Sequence, residues 1–204
     1  MKKMFFCLLL VCATTGATNA QYSTPDSTRL IRKNEFLFNI AKFIPSISPS
    51  ALAMMYRRNF KGFSLRAQLY GSYSHNHTSS SKYSDSYTIS PSVGIQKNIP
   101  VAKYLYLYYG ADVIYSYQKN NTTSGYTEKI TTYNTTSLAP LVGIRYNYKK
   151  LVVGAECGGS LKYQLEQVHS NSSAPYNMFT SDTQQNSAGF NMLSFTKILV
   201  GITF

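Results

Sequence analysis

The sequence is poor in cysteine and in acidic residues, and both shortages limit what the protein can be. Of its three cysteines, Cys7 and Cys12 lie in an N-terminal segment that has the features of a signal peptide. Only Cys157 then remains, so an internal disulfide is excluded. Asp and Glu number 8 against 20 Lys and Arg, but the basic residues are spread singly. Without a basic block or a recognition helix, no nucleic-acid partner is predicted.

Long apolar runs are also missing, apart from one at the N-terminus. Lys2 and Lys3 precede the short apolar run 4–13, and small residues at Thr18 and Ala20 suit a cleavage site before Gln21. This pattern predicts a cleaved signal peptide over 1–20, followed by a periplasmic segment 21–33. No later run approaches the roughly 20 apolar residues of a membrane helix. A helical transmembrane protein is therefore excluded for the mature chain.

Alternation of apolar and polar residues replaces helical spacing along the rest of the chain. Leu151, Val153, Ala155 and Cys157, for example, alternate with Val152, Gly154 and Glu156. A period of two is typical of strands with two different faces, and the many Tyr and Thr residues are strand formers. Eight strands are predicted, near 34–44, 50–60, 63–76, 85–98, 103–118, 130–148, 150–167 and 189–204.

The predicted connections alternate between short turns and long polar loops. Short connections follow the second, fourth and sixth strands, whereas residues 74–84, 118–129 and 169–187 are polar and are predicted as loops. This asymmetry is typical of outer-membrane barrels. The polar strand faces are rich in Gly, Ser and Ala, which suits a narrow interior rather than a water-exposed surface. We therefore predict an all-β, eight-stranded antiparallel transmembrane up-and-down barrel over 34–204, with periplasmic termini and extracellular loops.

Tyrosines gather near both ends of the predicted strands. Aromatic girdles mark the two membrane interfaces of such barrels, and Cys157 falls on the lipid-facing parity. The predicted interfacial residues are Tyr104, Tyr146 and Tyr148 at the short-turn end, and Tyr73, Tyr87, Tyr115 and Tyr117 at the other end.

Short motifs make the chain resemble the small outer-membrane barrels of the OmpA/OmpX shape, and more closely a Bacteroidota-type family of uncharacterised outer-membrane barrels. That family opens with an Asn-Glu-x-x-x-Asn strand, which here is Asn34, Glu35 and Asn39. A strand closing on Tyr-Glu-Arg and then a Ser-Leu strand follow in the family, and this chain has Arg57 where the family pattern prefers an acid. The matching residues here are Tyr56, Arg57, Arg58, Asn59, Ser64 and Leu65.

Charged residues fall on the inward parity of several predicted strands. An unpaired charge in a narrow interior is costly, so we predict a lumen network that plugs the barrel. Arg145 and Glu156 lie in it on adjacent strands joined by the 149–150 turn, at comparable but unequal heights. Separately solvated charges around trapped water are the alternative. The predicted network consists of Arg66, Asp112, Arg145, Glu156 and Lys162.

The C-terminal segment KILVGITF is predicted to close the barrel against the first strand. Its apolar residues alternate and end on an aromatic side chain, which resembles the signal that outer-membrane assembly machinery takes up. A bulge or a register change is predicted between Phe195 and Ile198, because the apolar parity changes there. The residues of this closing strand are Ile198, Val200, Ile202 and Phe204.

The sequence predicts a structural, surface-interaction or accessory-subunit role in the outer membrane of a Gram-negative bacterium. A narrow channel for water or small solutes is the alternative, and a membrane-embedded enzyme is less favoured because His75, His77 and His169 all fall in predicted loops. His169 and Asp182 could meet across loops, but so Ser-rich a chain makes such a triad a weak indication. No catalytic residue, metal or cofactor is predicted. The predicted partners are outer-membrane lipids, the assembly machinery and a larger outer-membrane complex.

One charge pattern stands apart from the rest, since basic residues collect near the short-turn end. They could meet phospholipid headgroups or a periplasmic partner, or they could simply keep short turns in water. These residues are Arg57, Arg58, Lys61, Lys97, Lys103, Lys149 and Lys150.

Overall fold

The computed structural model describes residues 34–40, 51–79, 82–174 and 177–204. The predicted signal peptide and the segment 21–33 lie outside these described residues, as do residues 41–44 and 50 of the first two predicted strands. Within the described part of the chain, no helix is both long enough and apolar enough to cross a bilayer.

Antiparallel strands make up almost all of the described structure. Each strand pairs with its neighbours in sequence order, and β1 also pairs with β8, so the sheet closes into a barrel. The predicted all-β, antiparallel organisation is confirmed. The strands are β1 (Asn34–Asn39), β2 (Ala51–Asn59), β3 (Phe63–Ser79), β4 (Lys82–Ala102), β5 (Leu105–Ser124), β6 (Thr127–Tyr148), β7 (Leu151–Ala174) and β8 (Asn177–Thr203).

The two faces of the sheet follow the alternation of the sequence. On β6, Leu138 is 47% exposed on the outer face, whereas Ala139 and Leu141 are 0% and 3% exposed. Leu65, Val93 and many other large apolar side chains also lie exposed on the outside. Most large apolar side chains therefore face away from the barrel, and the interior receives the small, polar and charged residues together with a small apolar cluster of Leu37, Met55, Val152 and Leu199.

The two ends of the barrel differ in height. Turns 60–62, 103–104 and 149–150 lie at the end where β1 begins and β8 finishes, which we call the turn end. At the opposite end, the hairpin end, β3 to β8 extend far beyond β1 and β2. Within the described residues, the strands are therefore short at β1 and β2 and long at β7 and β8.

The long polar loops predicted at the hairpin end are wrong. These segments continue as paired strands almost to their tips, because their Thr and Tyr residues favour extended structure and an antiparallel pair needs only a two-residue turn. Gly125, with φ of 59°, allows the tight turn between β5 and β6. The last cross-strand pairs are Ser79–Lys82, Ser124–Thr127 and Ala174–Asn177.

The closing strand β8 pairs with the first strand β1 and thereby closes the sheet. β8 pairs with β1 from Leu199 to Thr203, and backbone hydrogen bonds of 3.2 and 3.0 Å join Asn34 and Phe204 beyond the last paired residues. Ile198 and Val200 are half-buried, while Ile202 and Phe204 are mostly exposed on the outer face. This pairing leaves no open strand edge at the turn end of the β1–β8 seam.

The predicted bulge between Phe195 and Ile198 is wrong. From Phe195 to the end of β8 the register with β7 is continuous, and the irregularity lies further toward the hairpin end. There Gly158 pairs with Phe195, but Ser160 pairs with Asn191. Between these two pairs β8 advances by four residues and β7 by two, and because the difference is even, the parity of β8 is preserved.

Tyrosines lie at both ends of the outer face. At the turn end, the ring centroid of Tyr104 is 6.0 Å from that of Tyr146 and 5.6 Å from that of Tyr148. At the hairpin side, the centroids of Tyr87 and Tyr117 are 5.8 Å apart. Tyr73 pairs directly with Tyr87 across β3 and β4, and Tyr115 lies exposed on β5.

Candidate functional site

Charged side chains occupy the interior of the turn-end half of the barrel. All are at most 8% exposed, and all project inward because they alternate with outward apolar residues on their strands. Four are basic and three are acidic, so ion pairing can balance all but one of the charges. They are Glu35, Arg57, Arg66, Asp112, Arg145, Glu156 and Lys197.

Glu156 on β7 is the centre of the first ion-pair cluster. Arg66 on β3 donates from Nη1 to Oε2 at 3.0 Å and from Nη2 to Oε1 at 2.8 Å, which is the bidentate geometry that Arg and carboxylates favour. Lys197 Nζ lies 2.8 Å from Oε1, and the hydroxyl of Tyr108 donates to Oε2 at 3.0 Å. Groups from β3, β5 and β8 therefore converge on one carboxylate of β7.

Arg66 also joins Glu156 to a second acid. Its Nε lies 2.9 Å from Asp112 Oδ1, and its Nη1 donates to Gln96 Oε1 at 3.2 Å. Asp112 pairs with Gly94 across β4 and β5. A Cβ on Gly94 would lie only 2.0 Å from Asp112 Oδ1, so the missing side chain provides the space that the carboxylate occupies.

Glu35 on β1 is the centre of the second cluster. Arg57 Nη1 donates to Oε2 at 2.9 Å, and Arg145 Nη1 lies 3.0 and 3.1 Å from the two oxygens. Asn59 Nδ2 donates to Oε1 at 2.8 Å. The Arg145 guanidinium also packs over the Tyr106 ring, with 5.4 Å from Cζ to the centroid. The acid is thus held by residues of β2 and β6 from opposite sides.

Tyr108 connects the two clusters. The guanidinium of Arg57 lies over its ring, 5.3 Å from Cζ to the centroid, while its hydroxyl bonds to Glu156. The ring lies against Gly143 on β6, where a Cβ would be 2.3 Å from Tyr108 Cζ. Tyr108 therefore lies between the two clusters, with its ring against Arg57 of one and its hydroxyl bonded to Glu156 of the other.

Arg145 and Glu156, which the sequence places in one network, do not pair with each other. Arg145 pairs with Gly154 in the register of β6 and β7, and its side chain binds Glu35, whereas Glu156 binds Arg66 and Lys197. The ring of Tyr108 fills the space above Gly143, which is the register partner of Glu156. That ring directs the two charged side chains to different partners.

Lys162 does not join the network predicted for it. It has the inward parity, since it pairs with the buried Ser137, but its side chain is exposed. It lies toward the hairpin end, beyond the described residues of β1 and β2. A charge at this height remains in contact with water and needs no partner.

Sequence reasoning missed three members of the clusters. Glu35 alternates with Leu37 and Asn39 on the inward parity, and this signal was available. Arg57 was grouped with the basic turn residues although its alternation with Met55 and Asn59 indicates the interior. Lys197 was assigned only to the closing strand.

On the hairpin-end side of the charged clusters, the interior near β4 and β5 contains neutral polar groups. Ser90 donates to Ser116 at 2.7 Å, and Ser86 donates to Asn120 at 2.7 Å. These bonds join β4 to β5 across the inner face. They line the β4–β5 wall of this part of the interior with hydroxyl and amide groups.

Two histidines lie on the outer face near the hairpin end, each opposite an aspartate. His75 pairs with Asp85 across β3 and β4, and His169 pairs with Asp182 across β7 and β8. The side chains of both pairs are well exposed. The structure thus brings His169 and Asp182 together, but on the outside of the sheet. Across the described residues, no group of three or more His, Cys, Asp or Glu side chains gathers in a way that could hold a metal ion.

The comparisons with known proteins give little to add to this geometry. No family model matches the chain, and no curated protein matches it. Among solved structures, the ferric yersiniabactin uptake receptor FyuA from Yersinia pestis is similar at 11% sequence identity and a TM-score of 0.42. The match covers 72% of this chain and 24% of the receptor chain. A likeness at this level carries no argument about function.

Proposed function

We propose that this protein is a small outer-membrane barrel whose strands span the membrane and whose lumen is closed by side chains. In this proposal residues 1–20 direct secretion, both termini lie in the periplasm and the hairpin end is extracellular. The assembly machinery inserts the barrel by recognising the closing strand, which includes Ile198, Val200, Ile202 and Phe204.

The proposal rests on the distribution of polarity, which is the reverse of that in a water-soluble barrel: apolar side chains lie outside and charged side chains lie inside. Large apolar side chains cover the outer face, while the interior holds seven charged side chains that are nearly inaccessible. In water, an apolar surface of this extent would be strongly unfavourable, whereas a bilayer replaces water around it and the closed sheet satisfies the backbone. The tyrosines at the two ends of the outer face support the same arrangement, because aromatic residues favour both interfaces.

The lengths of β7 and β8, which exceed a membrane span, support a role in surface interaction. A membrane-spanning strand needs about 9–11 residues, but β7 and β8 have 24 and 27. Their excess length is polar and stays paired, so it would stand outside the membrane as a rigid sheet rather than as mobile loops. We propose that this sheet contacts other molecules, either for a free-standing barrel or for the accessory subunit of a larger complex, and that the protein is not an enzyme.

Conductance of the purified protein in planar bilayers tests the closed lumen. We expect no stable openings, because the clusters around Glu35 and Glu156 fill the turn-end half of the interior. Reproducible openings that Arg66→Ala or Arg145→Ala changes in size would contradict a closed barrel. Pull-down from native outer membranes with mass spectrometry then separates an accessory subunit from a free-standing barrel.

A narrow channel for water or small solutes is the second candidate, and one observation favours it. Arg145 Nε and Nη2 and both amide atoms of Asn147 are buried without a hydrogen-bond partner among the described residues. Buried polar groups of this kind usually bind water. Osmotic swelling of vesicles measures whether such water is continuous: swelling that Asn147→Leu slows would favour the channel, and rates equal to those of empty vesicles would exclude it.

A further inference from the structure

Among the described residues, six basic side chains are exposed around the turn end. All three short turns contribute, with Lys97 on β4 close beside the first of them. Arg57, which the sequence placed in this group, is buried in the Glu35 cluster and does not belong to it. The exposed residues are Arg58, Lys61, Lys97, Lys103, Lys149 and Lys150.

This end has no exposed acidic side chain among the described residues. The acids nearest to it, Glu35, Asp112 and Glu156, are buried and paired inside the barrel. The other four acids of the described chain lie in the hairpin-end halves of their strands, where lysines balance them. The turn end therefore has a positive field of its own, whereas the hairpin end has both signs.

Three of the six cations pack on aromatic rings of the same rim. Arg58 Cζ lies 5.5 Å from the Phe60 centroid, and Lys103 Nζ lies 5.4 Å from that of Tyr104. Lys149 Nζ lies 5.5 Å from that of the adjacent tyrosine, Tyr148. An aromatic ring beside a cation is the combination that suits a membrane interface, where the ring meets acyl chains and the cation meets headgroups.

The backbone of the β6–β7 turn gives an independent indication that the charge matters. Lys149 has φ of 53°, in the left-handed region that a two-residue hairpin requires. Gly, Asn and Asp adopt this conformation with little strain and usually occupy such turns. A lysine at this position provides a positive charge, but its backbone must adopt a left-handed conformation that is strained for lysine.

We propose that the turn end is a binding surface for anionic phospholipid headgroups of the facing leaflet. This inference rests on the proposed membrane barrel and identifies which of its ends meets anionic lipid. The cations are distributed over separate turns around the rim instead of forming one patch, which suits a ring of lipid phosphates better than a single acidic protein. The rings beside them place the ammonium and guanidinium groups at headgroup depth.

Lipid binding to the purified barrel tests the proposal. The barrel in neutral detergent is titrated with phosphatidylglycerol or phosphatidylcholine, and native mass spectrometry counts the lipids retained. Each lysine contributes roughly a fivefold factor near an anionic surface at low ionic strength. Because the three substituted lysines lie on three different turns, we expect the turn-end variant to lose about fivefold in phosphatidylglycerol affinity at each turn and therefore to retain fewer lipids, and we expect the control to keep the affinity of the wild type. The turn-end variant is Lys61→Gln/Lys103→Gln/Lys150→Gln, and the matched control is Lys119→Gln/Lys129→Gln/Lys162→Gln.

The other outcomes are equally informative. Equal binding of the two lipids by the wild type, or equal losses in both triple variants, would overturn the proposal. A salt titration of the wild type gives a second readout that needs no variant: the preference for phosphatidylglycerol should vanish between ~0.01 M and ~0.5 M salt, and its persistence would overturn a headgroup site. Insertion into bilayers is measured separately on unheated gels. A barrel that inserts but shows no lipid preference refutes only this inference, whereas failure to insert into either lipid refutes the membrane barrel itself.

Discussion

Replacement of Glu156 by glutamine would remove one charge from the interior while keeping the volume of the side chain. Glu156 accepts two hydrogen bonds from Arg66 and one each from Lys197 and Tyr108. Glutamine retains one acceptor oxygen and turns an NH₂ group toward these donors. Arg66 then keeps only Asp112 as an acidic partner, and Lys197 loses the carboxylate 2.8 Å away.

The expected cost follows from the burial of the pair. Glu156 and Arg66 side chains are 0% and 1% exposed, and that of Lys197 is 10% exposed. Loss of one partner of a buried ion pair costs about 3–5 kcal/mol, because the remaining charge stays desolvated. Lys197 can still reach some water, so we expect the lower part of this range, about 3 kcal/mol. Glu128→Gln, at an exposed position near the hairpin end, should change the stability by less than about 0.5 kcal/mol.

Urea unfolding in lipid vesicles measures both variants. Because the chain has no tryptophan, the folded fraction is followed by circular dichroism and by the mobility of unheated samples on gels. A loss below about 1 kcal/mol for Glu156→Gln would refute the view that Glu156 supports buried charges. A double-mutant cycle with Arg66→Met should show a coupling of about 2 kcal/mol, and simple additivity would refute the pair as well.

Three further predictions concern the packing around the clusters and the turns. Arg145→Met and Glu156→Gln should combine additively within about 0.5 kcal/mol, because the two residues bind different partners, and a larger coupling would indicate one undivided network. Gly143→Ala should cost about 1–3 kcal/mol, since its Cβ would meet a buried tyrosine ring at 2.3 Å; Gly71→Ala, with its nearest atom at 3.9 Å, is the control that should be tolerated. Lys149→Asn should raise the stability by about 0.5–1 kcal/mol by relieving the left-handed backbone, and a destabilised variant would contradict the strain assigned there. Urea unfolding in vesicles measures all of these changes.

The sequence predicts which face each strand residue occupies far better than it predicts partners. Alternation alone gives Leu138 an outward side chain and Glu156 an inward one, because the strand period is two and needs no tertiary information. The partner of Arg145 depends on the stagger of the strands and on the ring of Tyr108 lying over Gly143. Neither quantity can be read from one strand.

Polar composition explains the error at the hairpin end. Residues rich in Ser, Thr and Asn are normally interpreted as loops, yet here they alternate regularly and pair through the backbone. The pair His169–Asp182 is symmetric about its hairpin, since each residue lies five positions from the last cross-strand pair, Ala174–Asn177. The composition concealed this signal. Lys162 has the inward parity of β7, but parity alone does not show whether an inward side chain is buried or exposed.

Tryptophan fluorescence in brominated lipids tests the central claim most directly, because the chain has no tryptophan of its own. Leu138→Trp and Leu161→Trp introduce probes on the exposed apolar face, and Thr135→Trp introduces one at a half-buried position of inward parity on the same strand as Leu138. With lipid around the barrel, bromine should quench the two outward probes strongly and the inward probe weakly. Equal quenching of all three, or no quenching of the outward pair, would contradict a barrel with its apolar face in the membrane.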